Sequence, residues 1–171
     1  MQKKAKIEKA LERKYPEQVV LVTTRGPKGN ANVMAVGWAA IASSDPWMFV
    51  LGIDAGAYTF QLIKKTKQFV VAFPHEGMGT QVLHAGSHHG RGRDKLSEAG
   101  IATQRAGKVR APLIADAVAN FECRLVRVIQ PGDCPLVIGE VVAAHVNEYR
   151  CLHRLYTVAP GHVLGGVRAP R

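Results

Sequence analysis

Six short runs rich in β-branched and apolar residues, each closed by Gly, Pro, Asn or Asp, constrain this chain more than any other feature. They span 19–24 (Val19-Val20-Leu21-Val22-Thr23-Thr24), 31–38, 47–53, 68–73, 120–129 and 135–146. Runs of this length and make-up read as strands. Gly26-Pro27-Lys28-Gly29-Asn30 folds the first two into a hairpin over 19–38, and Pro131-Gly132-Asp133 does the same for 120–146. Asp45-Pro46 breaks the chain before the third run, and Pro74 stops the fourth. One clear helix falls among them, at 58–65. There Tyr58, Leu62 and Ile63 face inward, and Lys64, Lys65 and Lys67 suit the negative end of a helix dipole. Too few helices alternate with strands for a parallel α/β sheet. The expectation is a mostly β fold, a small antiparallel barrel with attached helices.

The remaining segments hang on that frame. A helix over 3–14 places Ile7, Ala10, Leu11 and Lys14 on one face and ends at Tyr15-Pro16. The stretch 75–117 is glycine-rich, with short helices at 79–85 and 94–99 between long loops. Long loops in compact domains are often functional. From Tyr149 the chain reads as a basic irregular tail, disordered over 165–171. Its 171 residues suit one domain, residues 1–171, made of an N-terminal helix (1–14), a barrel core (19–146) and the tail (149–171). The longest apolar run, Val33 to Ala42, falls well short of the ~18 residues of a membrane span. No secretory apolar core follows the basic N-terminus, so a soluble cytoplasmic protein without membrane contact is expected.

The charge balance, 23 Lys and Arg against 13 Asp and Glu, gives +10 and favours an anionic partner. Nucleic acid, a phosphorylated cofactor or an acidic protein would each fit. Nucleic acid is disfavoured, because an aromatic content of 6% offers no stacking platform. Cys123, Cys134 and Cys151 form no CxxC pair, which argues against a disulfide framework and a thiolate zinc site. His84 and His88 are spaced i, i+4, but Gly86-Ser87 interrupts the helix and no further ligand signature accompanies them. They and His89 read as loop histidines, and no metal site is assigned.

Two stretches carry the elements of an anion site. Gly86-Ser87-His88-His89-Gly90-Arg91-Gly92-Arg93-Asp94-Lys95 offers glycine amides, a hydroxyl and three permanent cations, with a helix starting near Asp94. Helix-start amides and arginine forks both grip phosphate. A solvated basic loop has the same composition. Thr59, in the first turn of the 58–65 helix, presents a hydroxyl beside exposed amides. Plain N-terminal capping uses the same residue type.

Taken in order, these stretches resemble the flavin reductase-like family of FMN-binding split barrels, above all its flavoredoxin branch. The resemblance runs from about Val19 to Val146. It rests on Val20 to Thr24, then Asn32-Val33-Met34-Ala35-Val36-Gly37-Trp38 leading to Asp45-Pro46. Tyr58-Thr59 through Ile63 to Phe69-Val70-Val71 follows, and then Gly86-Ser87 through Lys95. Phe121-Glu122-Cys123 and Ile138-Gly139-Glu140-Val141 look like the family's closing hairpin.

The resemblance implies a six-stranded antiparallel split barrel of Greek-key type with peripheral helices, a homodimer, and FMN near the subunit interface. The isoalloxazine would lie along Asn32, Met34, Ala35, Val36, Gly37 and Trp38. The phosphate would lie near Tyr58, Thr59, Ser87 and Lys95, with Arg93 as a helper. The family's usual Met-Thr-x-Ser-Trp is here Met34-Ala35-Val36-Gly37-Trp38, so contacts there run through main chain. Its usual Gly-Ser-x-Ser-Gly-Arg becomes Gly86-Ser87-His88-His89-Gly90-Arg91, with His89 standing where a serine donates. The implied activity is a flavin oxidoreductase fed by NADH or NADPH. The alternatives are a flavoredoxin-type electron carrier served by a redox protein, and a basic nucleic-acid binder. Hydride chemistry belongs to the flavin, so no catalytic side chain is named.

Overall fold

A computed structural model describes residues 1–149 and 152–168. Cys151 and the last three residues of the tail lie outside the described residues. The chain runs through α1 (Ile7–Leu11), β1 (Glu17–Gln18), β2 (Val20–Arg25), β3 (Ala31–Val36), β4 (Ala39–Ser44) and β5 (Trp47–Gly52). It continues through α2 (Tyr58–Thr66), β6 (Gln68–Phe73), α3 (Gly79–Ser87), α4 (Lys95–Glu98), β7 (Thr103–Gln104) and β8 (Leu113–Ile114). The last elements are β9 (Ala119–Ile129), β10 (Leu136–Val146), β11 (Leu155–Ala159) and β12 (Val163–Gly166).

The principal sheet is antiparallel and seven-stranded, in the order β3-β2-β6-β9-β10-β5-β4. β2 explains why the sequence lacks a polar face here, since every residue but Arg25 is buried. Val20 and Val22 point into the barrel, with Val36, Phe49, Leu51, Phe69, Val71, Cys123 and Val137. Phe60 and Ile63 of α2 join the same cluster and close its end. Val19 and Leu21 point the other way, where Val82 and Ala85 of α3, Leu96 of α4 and Leu155 of β11 cover them. Gly139 is required by packing: a Cβ there would run into the Phe69 ring.

The expected six strands become seven because the run over 31–38 ends at Val36 and a further strand, β4, follows Gly37-Trp38. β4 reads Ala-Ala-Ile-Ala-Ser-Ser and is mostly exposed, so neither β-propensity nor burial marks it. Its partner supplies the order, through the Ala39↔Leu51 to Ser44↔Trp47 ladder. β3 and β4 are the two edges of the sheet, yet consecutive in the chain. Two residues separate them, so the sheet curls until its edges meet, while no ladder joins them. The result is a split barrel with its seam at Gly37-Trp38. Gln18 donates its side-chain amide across that seam to the Ala39 carbonyl.

Two terminal expectations also change. The helix over 3–14 shrinks to Ile7–Leu11 and buries nothing. Periodicity without a partner surface does not hold a short helix. The supposed irregular tail instead forms the β11–β12 hairpin, which pairs with β1 in a second sheet. Leu155 and Thr157 alternate inward, and the hairpin turns at Gly161 and His162, both at positive φ (78° and 60°). No described helix is long and apolar enough to cross a membrane.

Candidate functional site

Two cavities meet along the β3 edge and share Met34, Gly86 and Ser87 in their walls. The smaller, about 210 Å³, lies between the start of α2, the end of α3 and the 88–90 loop. The larger, about 540 Å³, lies between Met34–Trp38, α3 and the small sheet.

The small cavity is built around a buried lysine. Lys95 is 3% exposed, and its ammonium donates to the carbonyls of Ala85 and His88, each at 2.7 Å. No carboxylate forms an ion pair with it among the described residues. Burial, helped by the like charge of Arg93 and opposed by Glu98, pulls its pKa down from 10.5 to about 8. Opposite stands the first turn of α2, which begins at Ala57 without a side-chain cap. Its orphan amides and dipole favour negative charge. Thr59 is buried there and accepts from Asn32 Nδ2 at 2.8 Å. Asn32 is 2% exposed, and its Oδ1 has no partner among the described residues. Gly90 keeps the floor open, because a Cβ would run into the Asn32 amide and meet the Tyr58 ring at 3.1 Å. A buried cation without a counter-ion, uncapped amides and a cradle that admits no side chain are the donor set of a phosphate site.

The flavin reductase-like domain model matches residues 12–156. The chain belongs to the flavin reductase-like family. An uncharacterized protein of Pyrococcus abyssi is 37% identical over 134 residues, 78% of this chain and 76% of that protein. A flavin reductase (NADH) of Kitasatospora aureofaciens is 31% identical over 129 residues, 75% of this chain and 65% of that one. The crystal structure of flavoredoxin from Methanosarcina acetivorans superposes with a TM-score of 0.86 at 25% identity, covering 100% of this chain and 94% of that chain.

In this flavin reductase-like chain the structure gathers Asn32, Tyr58, Thr59, Ser87, His89 and Lys95 around the small cavity. Met34, Ala35, Val36, Gly37, Trp38 and Ser87 line the larger one. Trp38 rests on Gly52, whose missing side chain makes the room. The Ser87 hydroxyl is held by the Leu83 carbonyl at 2.8 Å. Arg93 lines neither cavity, for its guanidinium forks onto Glu98 at 3.1 and 2.7 Å. Arg91 lies nearer, with its guanidinium 5.9 Å from the centre of the Tyr58 ring and Nη2 donating to Gln61 at 2.8 Å.

Sequence reasoning missed half of the larger cleft. Tyr15, Thr157, His162 and Leu164 form the wall facing Met34–Trp38, and Val82 and Leu83 of α3 line it as well. The alternation of 155–159 followed by Pro160-Gly161 is the signal that could have found the hairpin.

Proposed function

We propose that this protein binds FMN, with the phosphate in the small cavity and the ring system along Met34–Trp38, and works as an oxidoreductase fed by NADH or NADPH. The observation that carries the reading is Lys95, buried without a carboxylate beside the uncapped first turn of α2. Lys95 and the α2 amides hold the phosphate, Thr59 and Asn32 fix its register, and the barrel edge positions the ring. When bound, the flavin supplies the hydride and electron transfer. The flavin reductase (NADH) among its relatives and the net charge of +10 support an anionic nicotinamide donor. The flavoredoxin likeness favours a second reading, an FMN electron carrier served by a redox protein. We also assign a homodimer, because Ile41, Trp47, Val126 and Val146 of β4, β5, β9 and β10 are large apolar side chains left exposed.

The deciding experiment is anaerobic. Purified protein should take up FMN with flavin absorption that survives desalting, and NADH or NADPH should bleach it. Protein that leaves FMN fluorescence unchanged at micromolar concentration sinks the flavin reading. Bleaching by dithionite but by neither nucleotide selects the carrier. Light scattering at 18.5 kDa with FMN bound rules out the dimer.

A further inference from the structure

The end of β2 and the loop after β7 enclose a cleft of about 580 Å³ that the flavin reading does not use. Its lining includes Arg25, Arg105, Lys108 and Arg110 and no acidic side chain. Three other cations are neutralised by carboxylates, in Lys14–Glu17, Arg93–Glu98 and Arg168–Glu76. None of these four forms an ion pair among the described residues.

The cleft is held in shape from behind. Glu122 of β9 is fully buried, and its carboxylate accepts the amides of Gly107 (2.9 Å), Lys108 (2.5 Å) and Val109 (2.8 Å). The Glu122 carboxylate also contacts His145 Nε2 at 2.7 Å. Burial raises the Glu122 pKa, but these contacts together outweigh it and hold the carboxyl below the usual range. With its amides turned inward, the loop carries Arg105, Lys108 and Arg110 in exposed positions. Arg25 is fixed too, its Nε donating to the Arg110 carbonyl at 2.8 Å and its Nη1 to the Gly29 carbonyl at 2.6 Å. Carbonyl contacts orient the guanidinium without neutralising it, and its Nη2 carries no partner among the described residues. An arginine fork oriented this way loses little entropy on binding an anion.

We propose that this cleft is a second anion site, for a small molecule carrying a pyrophosphate. Four cations around one concavity exceed the charge of about −2 that a single phosphate carries, and the volume suits a nucleotide-sized ligand. The lining has no aromatic ring on which a base could stack, so recognition rests on the phosphates. Thr24 and Arg25 are neighbours on β2 and point to opposite faces. Thr24 meets Asn32 at the small cavity, and Arg25 turns to the loop. Adjacent residues of β2 therefore turn toward the two anion sites.

The test is calorimetric titration of FMN-saturated protein at low ionic strength with pyrophosphate, orthophosphate, ADP and adenosine. Pyrophosphate and ADP should bind alike, orthophosphate about tenfold more weakly, and adenosine not at all. The exposed double variant Arg105→Gln/Lys108→Gln should weaken pyrophosphate about tenfold or more and leave FMN affinity unchanged. Lys95→Gln should leave pyrophosphate untouched. If the protein takes up no FMN, the same titrations on flavin-free Lys95→Gln protein decide the point. Absence of binding at millimolar pyrophosphate overturns the site. So does binding that is lost in Lys95→Gln and kept in the double variant. Single-stranded DNA that binds through these cations a hundredfold tighter than pyrophosphate overturns the small-molecule assignment.

Discussion

The small cavity around Lys95 and the larger cleft beside it differ in what holds their walls. The small cavity is framed by helix ends and a short loop, and Lys95, Asn32 and Thr59 at its centre are buried. Lys95 reaches the Ala85 and His88 carbonyls, and Asn32 reaches Thr59. The larger cleft joins a barrel edge to a three-stranded sheet assembled from distant parts of the chain, 17–18 and 155–166. Its far wall is a hairpin tip in which His162 and Gly161 are exposed. One site is set by local chain and buried charge, the other by long-range assembly. A ligand spanning both should feel charge chemistry at one end and apolar packing at the other.

The largest effect expected from that difference is on Lys95. Lys95→Gln removes a charge-assisted contact of roughly 1.5–3 kcal/mol, about 10- to 150-fold in FMN affinity. Riboflavin, which has no phosphate, should bind as before. Fluorescence titration of both flavins gives the answer, and equal losses would mean that Lys95 supports the fold rather than the phosphate.

A somewhat smaller effect follows from pH. Free Lys95 loses its proton at about 8, and a bound phosphate dianion stabilises the charged form. Below that pH the lysine is charged with or without ligand, and between about 7 and 8 affinity is level. Above it, binding must take up a proton, so FMN affinity falls by up to about tenfold per pH unit. Riboflavin affinity should stay flat across the same range. An FMN profile level from pH 7 to 10 would remove Lys95 from the site.

The smallest effect belongs to the hairpin. Leu164 is partly buried and packs against the cluster outside β2. Leu164→Ser should cost roughly 1 kcal/mol of apolar contact, about fivefold, for FMN and riboflavin equally. A loss confined to FMN would show that the two cavities are not separable in this way.

How much of this could be read beforehand follows the same division. β2 and β6 were legible because their β-branched residues are buried in a sheet covered on both faces, and β9 and β10 because β-branched residues recur along runs bounded by turn residues. α2 was legible from its inward face and its terminal lysines. β4 was hidden, since its Ala- and Ser-rich run gains order only from β5. The β11–β12 hairpin was masked by the basic residues around it, and α1 was overdrawn because periodicity cannot report a missing partner. At the site, Thr59 and Lys95 stood in recognisable local stretches. Arg93 stands in the same stretch as a helper to Lys95, and only the three-dimensional contact with Glu98 takes it out of the site. The unpartnered Asn32 oxygen is likewise a property of packing, invisible in any one segment.

In an antiparallel ladder every second amide and carbonyl of a strand points away from its neighbour. On β3 the inner set meets β2, and the outer set would meet β4 if the barrel closed. The Gly37-Trp38 link brings the two edges together at one end without zipping them, so among the described residues no strand pairs with the outer set of β3 along the cleft wall. Ala35 and Gly37 carry no hydroxyl, and here they need none, because the unpaired main chain already supplies donors and acceptors to whatever lies against it. A variant that zipped the seam would gain ladder hydrogen bonds and a tighter barrel. It would also consume the atoms that give the cleft its polarity, and it would close the space between them.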